Sequence, residues 1–98
     1  MAKAPTAPLI AFGAIAVAPA WSLLLDQDDK PHHSWRRLSI LNMLDVRIEG
    51  SFDGTNVHFY IEDGSRSTWD FNYVNTWSVY VRAVSAPSSG DVTAEALS

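Results

Sequence analysis

The chain has 98 residues, of which 47% are hydrophobic and 18% are charged, with a net charge of −4 and no cysteine. This composition predicts one globular domain and excludes a disordered chain, a disulfide-stabilised scaffold and a thiolate metal site. The basic residues do not cluster beyond Arg36-Arg37, so we expect no nucleic-acid groove.

The first 25 residues contain Lys3 followed by an uncharged, mostly apolar run. Three interpretations are open. The run could be a signal peptide with a small-x-small site at Ala18-Pro19-Ala20, or a short membrane span interrupted by proline and glycine. The third interpretation, which we favour, is a structural arm: Leu9–Val17 forms a strand with two apolar faces, and Trp21–Leu25 forms a second strand after a turn. One apolar face would then need a partner, and we expect neither a cleaved leader nor a membrane anchor.

Residues 26–37 form a polar connection. Its three aspartates resemble the start of a calcium-binding loop, but Pro31 stands where such a loop needs glycine and Arg37 where it needs glutamate. The adjacent His32 and His33 point apart in an extended chain, with no third ligand near them in sequence. We therefore predict no metal site and no cofactor.

The clearest local pattern is a hairpin over Leu44–Glu62. Apolar residues alternate with polar ones in both halves, which indicates strands with one buried face. Between the halves, Asp53-Gly54 supplies the positive φ that a tight turn needs. The run Leu38–Asn42 before the hairpin is a further strand, which continues from Trp35.

The remaining chain continues the same pattern. Turn or loop signals at Asp63-Gly64 and Ala86–Gly90 separate strands predicted at Ser67–Tyr73, Trp77–Ser85 and Asp91–Leu97. Seven or eight short strands without a helical period predict an all-β, antiparallel β-sandwich, jelly-roll- or Ig-like, with an extended N-terminal arm. It forms a single domain with three parts, which are the arm (1–25), the polar connection (26–37) and the sandwich body (38–98).

The alternation also predicts the core. We expect these side chains to be buried: Val46, Ile48, Phe59, Ile61, Trp69, Phe71, Val79 and Val81. We expect these to be outside it: Asp45, Arg47, Glu49 and Arg82.

No pattern in the sequence demands a chemistry. There is no glycine-rich phosphate loop, no Gly-x-Ser-x-Gly elbow, and no spacing that selects a triad around a histidine. His58 lies on the polar side of its predicted strand, where a solvated or interface histidine is the better interpretation. We predict a protein without enzymatic activity. Several aromatics could form a sugar-stacking platform; they are Trp35, Trp69, Trp77, Tyr73 and Tyr80. However, Trp69, Phe71 and Trp77 alternate with polar residues as core positions do, so we favour a place in the core for these three.

Three phrases together carry a resemblance. They are Val46–Asn56 (VRIEGSFDGTN), Trp69-Asp70-Phe71, and Val79–Thr93 (VYVRAVSAPSSGDVT). Taken in this order, residues 38–97 resemble the small β-sandwich virion proteins of tailed bacteriophages, including capsid decoration (cement) proteins and related head–tail accessory proteins. The resemblance implies no catalysis, no cofactor and binding to other coat subunits, commonly as trimers.

The expected function is therefore a structural virion protein at the capsid surface, which stabilises the phage head through contacts with major capsid subunits. The expected state is a homo-oligomer, with a trimer favoured, and we expect no nucleic acid or membrane as partner. The alternatives are a sugar- or host-surface-binding module, a neck, tail or fibre accessory protein, and a small membrane-tethered protein. We assign the interface to the apolar arm and the basic, aromatic run after it: Leu9, Ile10, Phe12, Ile15, Val17, Trp21, Trp35, Arg36 and Arg37.

Overall fold

The computed structural model describes residues 9–11, 14–25, 35–75 and 78–97. They form eight strands, which are β1 (Leu9–Ala11), β2 (Ser22–Leu25), β3 (Trp35–Asn42), β4 (Ile48–Ser51), β5 (Phe59–Ile61), β6 (Arg66–Asn75), β7 (Val79–Ala83) and β8 (Asp91–Leu97). In this part of the chain there is no helix, and so no helix with the length and apolarity to cross a membrane.

The strands form two antiparallel sheets of four. The first sheet has the order β1-β8-β3-β6, and the second has the order β2-β7-β4-β5. Only β4 and β5 follow each other within one sheet; every other connection crosses from one sheet to the other. This interleaved order is that of an eight-stranded jelly roll, whereas an Ig-like domain divides its strands differently. The predicted β-sandwich is confirmed, in its jelly-roll form.

The core lies between the sheets and follows the period of two along the strands. Leu38 and Ile40 of β3 point inward, as do Val79, Val81 and Ala83 of β7, and all five are inaccessible to solvent. Burial of each large apolar side chain contributes about 1.5–3 kcal/mol. The other buried apolar residues are Ile15, Leu24, Leu25, Leu44, Ile48, Ile61, Val92 and Ala94.

Aromatic side chains close one side of the sandwich, where the edge strands β5 and β6 lie. Phe59 and Trp69 come from opposite sheets, and their ring centroids are 4.6 Å apart. Phe59 also lies over Gly50, where an added Cβ would be 1.9 Å from the ring. Glycine is therefore favoured at position 50, because the phenyl ring fills the space that a side chain would occupy and would have to shift for one.

The predicted core is confirmed for four residues, and three others are less buried than predicted. Ile48, Ile61, Val79 and Val81 are buried, whereas three others are only half-buried and pack against the core from its periphery; these are Val46, Phe59 and Trp69. They lie at the edge strands or in a connection, where only one side is covered by the opposite sheet. The side chain of Phe71 lies outside the described residues.

The four residues predicted to lie outside the core do so: two of them, Asp45 and Arg47, are exposed, and the other two are half-buried. Glu49 and Arg82 lie on the outer face of the second sheet, but their side chains are only 20% and 17% exposed. They are opposite each other on β4 and β7, and they form an ion pair at 2.8 Å. Neighbouring side chains cover this pair, which the alternation alone could not predict.

The hairpin is confirmed, although its first strand is shorter than predicted. β4 and β5 pair with Ile48 opposite Ile61, and Gly54 in the loop has a φ of 75°. The chain bends over residues 44–46, and the strand begins only at Ile48. The bend is needed because the chain crosses there from the first sheet to the second.

The prediction of one continuous strand over Leu9–Val17 is wrong. β1 ends at Ala11 and pairs with β8 in the first sheet, whereas β2 pairs with β7 in the second. Between them the chain bends, and a cis peptide bond joins Ala18 to Pro19. The segment changes sheets within its own chain, so it is part of the monomer's sandwich. At the far end of the predicted polar connection, β3 begins at Trp35, so residues 35–37 belong to a strand.

Candidate functional site

The loop between β4 and β5 brings together a serine, an aspartate and a histidine. Asp53 accepts hydrogen bonds from the Ser51 hydroxyl at 2.8 Å and from the backbone N–H groups of Thr55 and Asn56. These hydrogen bonds, led by those from Asn56, hold the pKa of the Asp53 carboxyl below its usual range. The Asp53 carboxylate thus organises the loop that follows the Asp-Gly turn.

This cluster does not have the geometry of a nucleophilic triad. The Ser51 hydroxyl is buried and donates to Asp53, while it accepts from the N–H of Gly54 at 2.9 Å. Nε2 of His58 is 4.0 Å from Asp53, and Nδ1 of His58 accepts from the backbone N–H of Phe52. A triad needs the histidine to contact the serine oxygen. The hydrogen bonds here fix the loop, and His58 is exposed, as predicted for a solvated or interface histidine.

The outer face of the second sheet is the best candidate for a binding surface. We call it the aromatic face and define it by Trp21, Leu23, Glu49, Tyr60, Tyr80 and Arg82. The register places Leu23 beside Tyr80, and Arg82 beside Glu49, which in turn lies beside Tyr60. Leu23 is 46% exposed and Tyr60 is 59% exposed. Tyrosine, tryptophan and arginine are the residue types most enriched where proteins bind one another.

Arg82 fixes the centre of the aromatic face. Its Nε donates to Glu49 at 2.8 Å, its Nη1 donates to the carbonyl of Pro19 at 2.8 Å, and its guanidinium carbon is 4.1 Å from the centre of the Trp21 ring. A half-buried cation over an indole ring adds an attraction of about 1–2 kcal/mol. These contacts hold the segment before β2 against β7 and so place Trp21 on the face.

Two other contacts order the margins of the aromatic face. Tyr80 lies beneath the β4–β5 loop, where the position of a Cβ on Gly54 would be 3.3 Å from its ring. The guanidinium carbon of Arg47 is 5.1 Å from the centre of the Tyr60 ring. The aromatic side chains are therefore held in place before any partner arrives, which lowers the entropic cost of binding.

The outer face of the first sheet has a different character, and its charges already have partners. Arg37 pairs with Asp70 at 2.6 Å, and this hydrogen bond raises the pKa of Arg37. Arg66 donates to the Ser39 hydroxyl at 2.7 Å and lies 3.8 Å from Glu95. We call this the polar face. Since it is hydrophilic and internally paired, it is the weaker candidate for a protein-binding surface.

The predicted interface residues do not lie on one surface of the structure. Trp21 lies on the aromatic face, and Val17 is 41% exposed beside it, bridged to Ala83. Ile15 is 4% exposed and belongs to the monomer's core, so its assignment to an interface is wrong. Ile15 lies in the bend after β1, and its side chain packs in the core between the sheets.

The other predicted interface residues lie in the first sheet or outside the described residues. Arg36 and Arg37 are exposed on β3. Leu9 and Ile10 are in β1, opposite Thr93 and Val92 of β8. Trp35 is in β3, opposite Asn75. Phe12, and the side chains of Leu9, Ile10 and Trp35, lie outside the part of the chain that is described.

The aromatics considered for a sugar platform do not come together where their side chains are described. Trp69 packs on Phe59 at the side of the sandwich, whereas Tyr80 lies on the outer face of the second sheet. The side chains of Trp35 and Tyr73, and the whole of Trp77, lie outside the description, as do His32 and His33. In the described ranges, no group of three or more metal-ligating side chains comes together.

Sequence reasoning missed the aromatic face because its members come from distant strands. Only Trp21 was among the predicted interface residues. The available signal was a polar–aromatic alternation, with Tyr60 and Tyr80 at positions where alternation requires an outward side chain.

A comparison of the chain with protein-family models, curated proteins and solved structures found no match.

Proposed function

We propose that this chain is a non-enzymatic structural subunit of a phage virion, most specifically a cement protein at the capsid surface that binds major capsid subunits. The proposal rests on the sequence resemblance over residues 38–97 and on the aromatic face. In this proposal the chain acts as a homo-oligomer, with a trimer favoured, and has neither nucleic acid nor membrane as partner.

The observation that supports a protein-binding role most is the composition and rigidity of the aromatic face. A surface that is formed before contact favours tight binding, because each side chain that has to be ordered on binding adds an entropic cost. Arg82 is held by three contacts, and Tyr80 is held under a loop. Around them Leu23 and Tyr60 remain exposed, as anchors for a hydrophobic contact.

The fold agrees with this role only in a general sense. Jelly rolls occur in viral capsid proteins, and they also occur in lectins and cupins. Since one fold serves many functions, the architecture is compatible with a virion protein but does not identify one.

The experiment is a binding assay on particles with matched surface variants. Leu23→Ser removes an apolar side chain from the aromatic face, where it is 46% exposed, and Met43→Ser removes one of similar exposure, 50%, from the β3–β4 connection. We expect the first variant to lose at least about tenfold in affinity, which is typical for an interface anchor, and the second to bind as the parent does. Stoichiometric copies in purified particles, measured by mass spectrometry, are the accompanying expectation. Equal binding by both variants contradicts the assignment of the surface, and absence of the chain from particles contradicts the function.

The second candidate is a sugar- or host-surface-binding module. The exposed ring of Tyr60 beside the Glu49–Arg82 pair favours it, because sugar sites combine an aromatic surface with fixed polar groups. Arg82 lies over one face of Trp21, and Arg47 lies over one face of Tyr60, so each ring has one face left for stacking. Tyr60 is the better stacking residue because it is exposed, whereas Trp21 is half-buried. A glycan array with the parent chain and Tyr60→Ser separates the two candidates: a glycan signal lost in the variant supports this one.

A further inference from the structure

One outermost strand differs from the others in length. β6 has ten residues and ends the first sheet, whereas β1, β2 and β5, the other outermost strands, have three, four and three. Within the described part of the chain, β6 pairs only with β3. Its sequence contains neither proline nor lysine, the residues that commonly prevent an edge strand from pairing with another chain.

The direction of the backbone groups along β6 follows from one hydrogen bond and the register. The N–H of Asn42 donates to the carbonyl of Ser65 at 2.9 Å, so odd-numbered residues of this segment face β3. In an antiparallel ladder the next residues direct their N–H and C=O groups to the other side. Arg66, Thr68 and Asp70 therefore present their backbone groups at the free edge. The ladder to β3 is regular from Arg66 to Asp70 and shifts register beyond it.

We propose that two copies of this chain associate by antiparallel pairing of their β6 strands about a two-fold axis at Thr68. In this register Arg66 lies opposite Asp70 of the second copy, Thr68 lies opposite its own equivalent, and Asp70 lies opposite Arg66. Opposite charges and threonine pairs are both favourable as directly opposed neighbours on one face of a sheet. The contact is isologous and closes on itself, so it gives a dimer and no open fibre. It is therefore a different contact from the one that would form the trimer implied by the sequence resemblance.

The charges select this register over its neighbours. An axis at Arg66 opposes two arginines, and an axis at Asp70 opposes two aspartates, which is unfavourable in both cases. An axis at Ser67 or Trp69 leaves both charges opposite uncharged residues. Only the axis at Thr68 matches each charge with its opposite.

The side chains that would form these contacts are accessible, although each also has a partner within the monomer. Those of Arg66 and Asp70 are 49% and 67% exposed, and both lie on the outer surface of the first sheet. Asp70 is already bound to Arg37, so the arginine of the second copy would complete an Arg–Asp–Arg row. On the inner side the half-buried Trp69 would lie opposite Ser67 of the second copy, and its remaining indole surface would be covered. The pairing would join the two first sheets into one of eight strands, whatever surface the chain binds.

The test is the mass of the full chain in solution, measured by analytical ultracentrifugation. Arg66→Asp and Asp70→Arg each place like charges opposite one another in a homodimer, and we expect each to weaken dimerisation by roughly tenfold or more. An equimolar mixture of the two variants restores both opposite-charge pairs, so it should form a heterodimer of nearly parental affinity. A parental dimer with this pattern supports the proposal. A parental chain that is monomeric at every concentration, or a mixture no tighter than the single variants, overturns it.

A second pair of variants tests the backbone contact without changing charge. Thr68→Pro removes an N–H that faces away from β3, which an edge strand tolerates, whereas Thr68→Val keeps that N–H and the β-branched shape. We expect the proline variant to be a folded monomer, with a β-type circular dichroism spectrum, and the valine variant to dimerise. If the oligomer, of whatever size, is equally stable in both variants, the β6 edge is not its interface.

Discussion

Among the side chains that the structure describes, that of Asn42 is the only fully buried amide, and its truncation should destabilise the fold severely. Its Nδ2 group lies 3.0, 3.1 and 3.2 Å from the carbonyl oxygens of Val46, Ile61 and Glu62, and its Oδ1 accepts from the N–H of Leu44 at 3.0 Å. Asn42 ends β3 in the first sheet, whereas Ile61 belongs to the second. One side chain therefore joins the two sheets and supports the connection between them.

The expected cost follows from the groups that Asn42→Ala leaves without partners. The bonds to Ile61 and Leu44 are buried, so each group loses its partner where water does not reach it, at about 1–3 kcal/mol. The other two bonds are partly exposed, and water can replace them. We expect a loss of about 2–6 kcal/mol, from a total of about 5–15 kcal/mol for a domain of this size. The melting temperature should fall by at least about 8 °C.

The assay is thermal and urea unfolding followed by circular dichroism, with Asn56→Ala as the control. Asn56 is also hydrogen-bonded through its side chain, to Asp53 at 2.9 Å, but it is exposed, so its truncation should cost no more than about 1 kcal/mol. Asn42→Asp gives a further check, because an ionised carboxylate would face three carbonyl oxygens. The pKa of that new carboxyl would be raised on folding, so this variant should be more stable below about pH 4 and lose stability as pH rises. If the free energy of unfolding of Asn42→Ala lies within 1 kcal/mol of the parent's, the assumed cost of leaving buried groups without partners is wrong.

Three further predictions concern other contacts. Gly50→Ala should cost about 1–3 kcal/mol in urea unfolding, and clearly less in a Phe59→Leu background, because the clash is with the phenyl ring. Arg82→Gln should lower the free energy of unfolding by about 1–3 kcal/mol and speed hydrogen exchange over residues 16–22, because it releases Trp21 and the carbonyl of Pro19. Unchanged exchange would contradict the role of Arg82 in holding this segment. Because folding lowers the pKa of Asp53, its contribution to stability is present above about pH 4 and is lost as pH falls. Asp53→Asn should therefore reduce the difference between the urea midpoints at neutral and acid pH. An unchanged difference would contradict this.

Much of the fold was predictable because its signals are local. Alternation in β4, β5 and β7, together with the Asp-Gly turn at residue 54, specifies strands and a hairpin from neighbouring residues alone. The sheet order was not predictable, because it depends on pairings between strands far apart in sequence. The N-terminal arm was misread for a related reason: a uniformly apolar run carries no alternation to show where the chain bends and changes sheets.

The candidate site was harder to predict than the fold. Arg82 binds a carbonyl 63 residues earlier in the chain, and no spacing rule connects the two. Asn42 carries a signal in the sequence itself: in the alternation of β3 it follows Leu38 and Ile40 on the inner face. A polar residue in a core position needs buried partners, so that register alone predicts a structural role for its amide.

The two outer faces of the sandwich are suited to different tasks, and this difference constrains how the chain can be placed in an assembly. On the polar face the exposed charges are paired within the monomer, as in Arg37 with Asp70, so covering that face broadly would cost desolvation with little gain. On the aromatic face the central ion pair is already shielded, and exposed apolar side chains surround it, so covering it costs less. The β6 edge belongs to the first sheet and the aromatic face to the second, so the two surfaces share no residue. A dimer formed through β6 would hold two aromatic faces on the same side of one continuous sheet, and two linked weak contacts bind far more tightly than one.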